Sequence, residues 1–419
     1  MHALYNAVIV FVGWVLRLLD GCNIPRKGKF RRFMAGQANV FADMEARFRP
    51  DERRVVWVHA ASMGEYGVAR PLISRLKEEG GVRVVLTFFS PTGYEALTQR
   101  LAQNVADDVF YLPLDTPANA RRLLDMLQPK AAVFIISEYW MNYLTELKRR
   151  NIPVSLVSAI IGDNSVFFRW YGALHRKMLR CFSHLFVLDR HSLDNLRRLG
   201  IRQAQVMGDP LFDNAIQVAA QPYHDAVIDR FCRDTGDVFI AGSISDDNDL
   251  RLVASLANRH GERKFIFVPH EISERKVESI QSQLQERSVC YSAVTNKTDF
   301  QGVQVLIIDF VGALSRIYRY GRWAYVGGGF TPLLHSVIEA TVYGLPVCFG
   351  PRIERKVTPQ RLIELGVGDI VRNEDEIEAW YRQMQQPERL DSIRETARQY
   401  TQSNAGATEK VVEYLLRQL

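Results

Sequence analysis

The sequence offers little to metal or disulfide chemistry. Its five cysteines, Cys22, Cys181, Cys232, Cys290 and Cys348, are odd in number and widely spaced. No C-x-x-C pair occurs, so neither a disulfide framework nor a zinc ribbon is supported, and a reducing, cytosolic compartment is the simple reading. The nine histidines form no H-x-x-x-H or H-E-x-x-H pattern, and no structural metal is expected. Short repeats and low-complexity tracts are lacking, as is an A-x-A cleavage site behind the apolar N-terminus. That last absence, with no basic residue ahead of the apolar run, argues against a cleaved signal peptide.

What is present fits an ordinary folded protein. A length of 419 residues, 47% of them apolar and 24% charged, suits two α/β domains rather than one core. The net charge of +6 and sequence pI near 9.0 favour anionic partners: nucleic acid, phosphosugars or an anionic membrane. No aromatic–basic stripe or known module supports nucleic acid. Ala3–Leu19 is almost continuously apolar, broken only by Asn6 and Arg17. As a helix it reaches roughly 25 Å, a little short of a comfortable span. Arg26, Lys27, Lys29, Arg31 and Arg32 follow and suit anionic headgroups on the cytoplasmic side. A membrane-anchor helix over residues 1–22 is expected; the alternative is a terminal helix packed on the domain.

Short apolar runs alternate with helical patterns. Strands are expected at Val55–His59, Val82–Thr87, Ala131–Ile136, Val154–Ala159 and His184–Leu188. Helix-like stretches such as Val68–Glu79, Ala118–Leu127 and Trp140–Arg150 lie between them. A second series reads Val238–Ala241, Lys264–Val268, Val303–Ile308, Trp323–Val326 and Pro346–Phe349, with helices near Asp247–Arg259, Ser273–Glu286 and Pro332–Tyr343. This is the rhythm of parallel sheets covered on both faces. Two doubly wound, Rossmann-like domains are expected, 23–215 and 216–419, with the boundary segment at Gln217–Tyr223. A cleft between them would receive ligands at the strands' carboxyl ends.

Several strand-end segments carry candidate chemistry. His59-Ala60-Ala61-Ser62-Met63-Gly64-Glu65 follows a strand and opens a helix; its N-terminus suits an anion. Glu65 reads either as a base for an attacking hydroxyl or as a helix-capping carboxylate. Thr87 to Tyr94, with Ser90 and Thr92, is a polar turn that either contacts substrate or simply turns. Asp115, in Pro113-Leu114-Asp115, either caps the next helix or faces the cleft. Glu138 ends an apolar run and either faces a ligand or caps a helix. Gly242 and Ser243 are placed to offer N–H groups and a hydroxyl to phosphate. Gly327-Gly328-Gly329-Phe330 ends a strand, and Thr331-Pro332 reads as the start of a helix carrying His335 and Glu339 on one face. Glu339, in an apolar stretch, needs a partner: sugar or ribose hydroxyls, or His335 itself. The triple glycine is not G-x-G-x-x-G, so no nicotinamide or flavin site is read.

In order and spacing these segments resemble the 3-deoxy-D-manno-octulosonic acid (Kdo) transferases of lipopolysaccharide assembly, from about Gln37 to about Gly366. The family's H-A-x-S-x-G-E reads His59 to Glu65, its T-x-x-S-x-[ST]-G turn reads Thr87 to Gly93, and its P-L-D reads Pro113 to Asp115. Gly208 to Asp213 looks like its interdomain segment, Val268-Pro269-His270-Glu271 like its phosphate-side loop, and Gly327 to Glu339 like its nucleotide site. The resemblance implies a GT-B fold with an N-terminal anchor at the cytoplasmic face of the inner membrane. It implies CMP-Kdo as donor, a lipid A precursor as acceptor, inversion at the anomeric carbon and no metal or other cofactor. Glu65 is then the base, with Asp115 beside it in the catalytic set. Ser62, Gly64, Ser90, Thr92 and Glu138 fall on the acceptor side. Gly242, Ser243, His270, Gly327, Gly328, Gly329, His335, Ser336 and Glu339 fall on the donor side. Two stretches depart from the pattern: Ser336 stands where the family has an amide, and Arg352 to Val357 replaces an aromatic and a glutamate. They leave open a GT-B transferase for another nucleotide sugar on a lipid, or a non-catalytic relative.

Overall fold

The computed structural model describes residues 2–22, 28–99, 106–354 and 356–419. Arg26 and Lys27 of the basic cluster, and Arg355 of the second departing stretch, lie outside the described residues. The chain forms two compact units, residues 1–214 with 405–419, and residues 215–404.

The first unit holds strands β1 (Val55–His59), β2 (Arg83–Phe88), β3 (Asp108–Tyr111), β4 (Ala131–Ile135), β5 (Val154–Ala159), β6 (His184–Val187) and β7 (Ala204–Val206). They are parallel, in the order β3-β2-β1-β4-β5-β6-β7. The central strands are apolar throughout because both faces are buried. Alternate residues feed different cores: Trp57 and Phe134 pack on one side, Val56, Val58 and Val133 on the other. Helices α1 (His2–Gly21) and α2 (Lys29–Arg47) precede β1. They are followed by α3 (Met63–Gly80), α4 (Pro91–Gln99), α5 (Pro117–Leu127) and α6 (Met141–Arg149). Leu72 and Ile73 of α3 join one core, and Leu123 of α5 and Leu144 of α6 join the opposite one.

The second unit repeats the plan with β8 (Val238–Ile244), β9 (Lys264–Pro269), β10 (Arg287–Cys290), β11 (Val303–Ile307), β12 (Trp323–Val326), β13 (Val347–Phe349) and β14 (Gly368–Ile370). The order is β10-β11-β9-β8-β12-β13-β14. In each sheet the strand order reverses beside the first strand, between β1 and β4 and between β8 and β12.

The ten strands expected from the sequence are present, three with the expected bounds and the rest within three residues of them. Each sheet also has two that pattern alone did not reveal: β3, β7, β10 and β14. All four are edge strands of three or four residues, too short to show a period. A larger correction concerns the end of the chain. The second half was expected to run to residue 419, yet helix Ala407–Leu416 packs on the first unit, with Ala407, Val411, Val412 and Leu415 buried against the α3 side of its sheet. Asp213 fixes its start by accepting the Gly406 N–H at 2.7 Å and the Thr408 N–H at 2.6 Å. A carboxylate at a helix N-terminus is worth about 1–2 kcal/mol. Asp213→Ala should therefore lower the thermal midpoint by a few degrees, read by calorimetry; an unchanged midpoint would mean the cap contributes nothing.

Candidate active site

In the first unit the turns after β1, β2 and β4 meet at the carboxyl edge of the sheet, where the order reversal leaves the strand ends uncovered. Ser62 is the N-cap of α3 and accepts from the Glu65 N–H at 3.5 Å. The Glu65 carboxylate reaches back to the Ala61 N–H and is also held by the Ser62 N–H. This is a capping box, so the capping alternative describes the geometry. It does not exclude the other, because burial, and next to it the charge of Glu138, push the Glu65 carboxyl up from 4.5 to about 7. The cap fixes where the carboxylate points. Its surroundings set its basicity near neutrality, where a general base works best.

Glu138 sits in a buried polar cluster. It contacts His59 Nε2 at 3.1 Å and accepts from Trp140 Nε1 at 2.5 Å. The other ring nitrogen of His59 faces Thr87, 2.9 Å from Oγ1 and 3.1 Å from its carbonyl, and Trp57 Nε1 donates to the same hydroxyl at 2.9 Å. Glu138 therefore caps no helix. His59, Thr87 and Trp140 belong to the site, although the sequence singled out no role for them. Their signal was position, at or just past the ends of β1, β2 and β4. Ser90 and Thr92 share a hydrogen bond at 2.7 Å, and the Ser90 N–H donates to the Ala61 carbonyl at 2.8 Å, tying the turn after β2 to the turn after β1. Gly64 lies in the first turn of α3, with no atom closer to its would-be side chain than Ser62 Oγ at 3.8 Å.

Asp115 corrects both readings offered for it. Thr116, not Asp115, caps α5. Asp115 is buried and accepts from the Asn142 and Tyr143 N–H groups of α6, each at 3.1 Å, and from Tyr5 Oη at 2.6 Å. With its lone pairs committed, it positions α6, the helix that follows Glu138, and is not free to act as a base.

The second unit builds its site at the matching place. A bulge at Ser243 interrupts the pairing of β8 with β9, and Ser243 adopts a left-handed φ of 55°, a costly conformation for a non-glycine residue that clusters at functional sites. Gly242 lies inside β8, paired with both neighbours; a side chain there would meet Tyr318 Oη at 2.1 Å. Its glycine thus serves close packing rather than a phosphate-facing N–H. Gly327 faces the Ser243 carbonyl, Gly329 faces Gly350, and Gly328 has a φ of 86°; all three positions require glycine.

Asp249, absent from the candidates read in the sequence, holds this loop. It is fully buried and accepts from the Gly328 N–H at 2.9 Å, the Ser245 N–H at 2.9 Å and Tyr325 Oη at 2.6 Å. Thr331-Pro332 does not start a helix. The Thr331 hydroxyl donates to the Gly328 carbonyl and accepts from the Leu333 N–H, closing a turn, and the helix there is only Ile338–Thr341. His335 therefore lies in the loop before it, with Ser336 next in sequence. His335 Nε2 is 3.0 Å from Ser245 Oγ, and its ring centroid lies 4.3 Å from that of His270. Burial, His270 and Lys356 lower His335 to about 4, so it is neutral at pH 7. Glu339 is not bonded to His335. Burial alone raises it to about 7, and beside it the buried Tyr318 hydroxyl has no hydrogen-bond partner. A carboxyl and a phenol without partners, the phenol facing Gly242, are groups that ligand hydroxyls would satisfy. Among the described residues no group of three or more His, Cys, Asp or Glu is placed to hold a metal.

Residues 34–214 match the family described as 3-deoxy-D-manno-octulosonic-acid transferase (kdotransferase). The transferase of that name from Chlamydia pneumoniae is 27% identical over 348 residues, 81% of this chain and 78% of its own length. The one from Aquifex aeolicus is 24% identical over 348 residues, 79% and 87%. Among solved structures, a UDP-GlcNAc 2-epimerase from Neisseria meningitidis superposes with a TM-score of 0.62 at 14% identity, covering 87% of this chain and all of that one. Acinetobacter baumannii MurG superposes at 0.53 and 14%, covering 87% and 100%. The chain has the GT-B fold.

Glu65 and Glu339 fix the sign of a pH effect. Their folded pKa values lie above those of the unfolded chain, so the folded protein holds protons that the unfolded chain has released. Stability from this source is complete below about 4.5 and is lost as pH rises through about 7. Glu339→Gln should flatten the fall in thermal midpoint between pH 5 and pH 8, read by differential scanning fluorimetry. An identical slope in the variant would show that Glu339 is not held protonated.

Proposed function

We propose that this chain, which belongs to the Kdo transferase family and is a glycosyltransferase, moves Kdo from CMP-Kdo to a hydroxyl of a lipid A precursor at the cytoplasmic face of the inner membrane. The observation that carries the reading is a carboxylate, Glu65, pinned at the order reversal of the first sheet and raised to about 7. An acceptor hydroxyl attacks the anomeric carbon from the face opposite CMP, and Glu65 takes its proton. The anomeric carbon passes through an oxocarbenium-like state and its configuration inverts. CMP departs with the electron pair of the broken C–O bond, as a phosphate monoester.

The glycine loop held by Asp249, together with Ser243, His270 and His335, takes the donor phosphate, an electrostatic role that needs no metal. Glu339 accepts from ribose hydroxyls. Ser62, Ser90, Thr92 and Glu138 face the acceptor, whose phosphates suit a basic chain. The turn at Thr331–Ser336, where a helix was expected, supports a second reading, transfer from another nucleotide sugar; competition by CMP against UDP separates the two.

The test is a product assay by mass spectrometry with freshly generated CMP-Kdo and a tetraacylated lipid A precursor. The wild type should add Kdo, and Glu65→Ala should lose at least about 100-fold. Glu339→Ala should raise the donor KM more than it lowers kcat. No addition by folded wild-type protein would contradict the reading. Deleting residues 2–20 should move the protein from the membrane to the soluble fraction.

A further inference from the structure

Helix α1 is apolar and long enough to cross a membrane, but its contacts describe a different placement. We infer that α1 lies in the plane of the membrane interface, its exposed face in the acyl region of one leaflet and its other face clamped to the first unit. This rests on the membrane attachment proposed above and specifies its geometry.

The clamp runs the length of the helix. His2 Nε2 is 3.0 Å from Asn142 Oδ1, and Tyr5 donates to Asp115 at 2.6 Å. Gly13 is buried, with Leu114 3.5 Å from where a side chain would begin. Near the far end, Asp20 pairs with Arg31 of α2 at 2.8 Å. From His2 to Asp20 the axis covers about 27 Å. If α1 stood across the bilayer with these contacts intact, Asp115, Asn142 and the surrounding backbone would have to lie at hydrocarbon depth, where polar groups and strand-end loops are not tolerated. Either the contacts or the crossing must go.

The outward face explains why the contacts stay. Leu4, Val8, Phe11, Val12, Trp14 and Leu18 are exposed, Leu4 at 68% and Phe11 at 62%, a stripe too apolar to face water. Arg17 lies one residue before Leu18, and its stem is long enough to carry its charge to the headgroups. Another feature points to the same surface. Tyr139 packs on Phe167 at 5.4 Å, and the loop that follows presents Trp170, 91% exposed, and Tyr171, aromatic types that favour the membrane interface. Tyr139 lies three residues before Asn142, the partner of His2, which links this loop to the N-terminal end of α1. Seating α1 in the leaflet also holds Tyr5 on Asp115, and so the start of α6 just behind Glu138. Membrane attachment and the acceptor side of the site then share one hydrogen-bonded unit.

Sidedness tests this directly. The full chain carries one epitope at its N-terminus and another at its C-terminus, and protease is added to spheroplasts and to inverted inner-membrane vesicles. Both epitopes should be cut only in inverted vesicles. An N-terminal epitope cut only in spheroplasts, or protected in both preparations, overturns the inference. A further measurement uses Phe11→Glu with Leu18→Glu, two exposed positions. Binding to vesicles of anionic lipid should fall at least tenfold with the thermal midpoint unchanged. Unaltered binding, or conversion of a dimer to a monomer as the sole effect, would assign that face to another occupant. Neither readout involves sugar transfer, so a wrong donor or acceptor leaves this result standing.

Discussion

Where the strand order of a parallel sheet reverses, the connections of two adjacent strands leave to opposite faces, and the carboxyl edge between them stays uncovered. Both candidate sites depend on that constraint, met once in each unit. Between β1 and β4 it places Glu65 and Glu138 close enough for the charge of one to raise the pKa of the other. Between β8 and β12 it sets the strained Ser243 against Gly327, the first of three glycines. In both places a carboxylate receiving backbone N–H groups organises the turn: the half-buried Glu65 at Ala61 and Ser62, the fully buried Asp249 at Gly328 and Ser245.

The two carboxylates differ in what remains free. Asp249 accepts four hydrogen bonds, three from backbone N–H groups and one from a phenol, and is fully buried; such a group fixes geometry and has no capacity left for a substrate. Asp115 is committed in the same way. Glu65 accepts from backbone, while burial first and the neighbouring charge of Glu138 next disfavour its ionised form and leave it basic. The contrast between committed and uncommitted carboxylates separates positioning residues from the proposed base, and burial alone does not make it.

Sequence patterns revealed the two-sheet plan because the central strands are long, apolar and β-branched, with turn residues at their ends. The missed strands are short edge segments. The tail was misassigned because the amphipathic helix Ala407–Leu416 carries no mark of which core its apolar face meets. The site was legible as strand-end motifs; that Glu65 and Glu138 lie close enough to interact is shown by the structure alone. His59 and Asp249 were harder to read. His59 closes a strand whose other residues are apolar core, and Asp249 resembles any other acid at a helix start. The helix expected at Thr331 failed because Thr331 closes a turn back onto Gly328, three residues before it, a contact that capping rules reading forward from Thr331 do not contain.

The central claim is that Glu65 is a base whose pKa is set by burial and by Glu138. The most direct measurement is the pH dependence of kcat for sugar transfer in the wild type and in Glu138→Gln. The wild-type rate should rise with pH through about 7, and removing the charge of Glu138 should move that limb toward lower pH. A rate that is flat from pH 5 to 8, or a limb that stays in place in Glu138→Gln, would contradict the account.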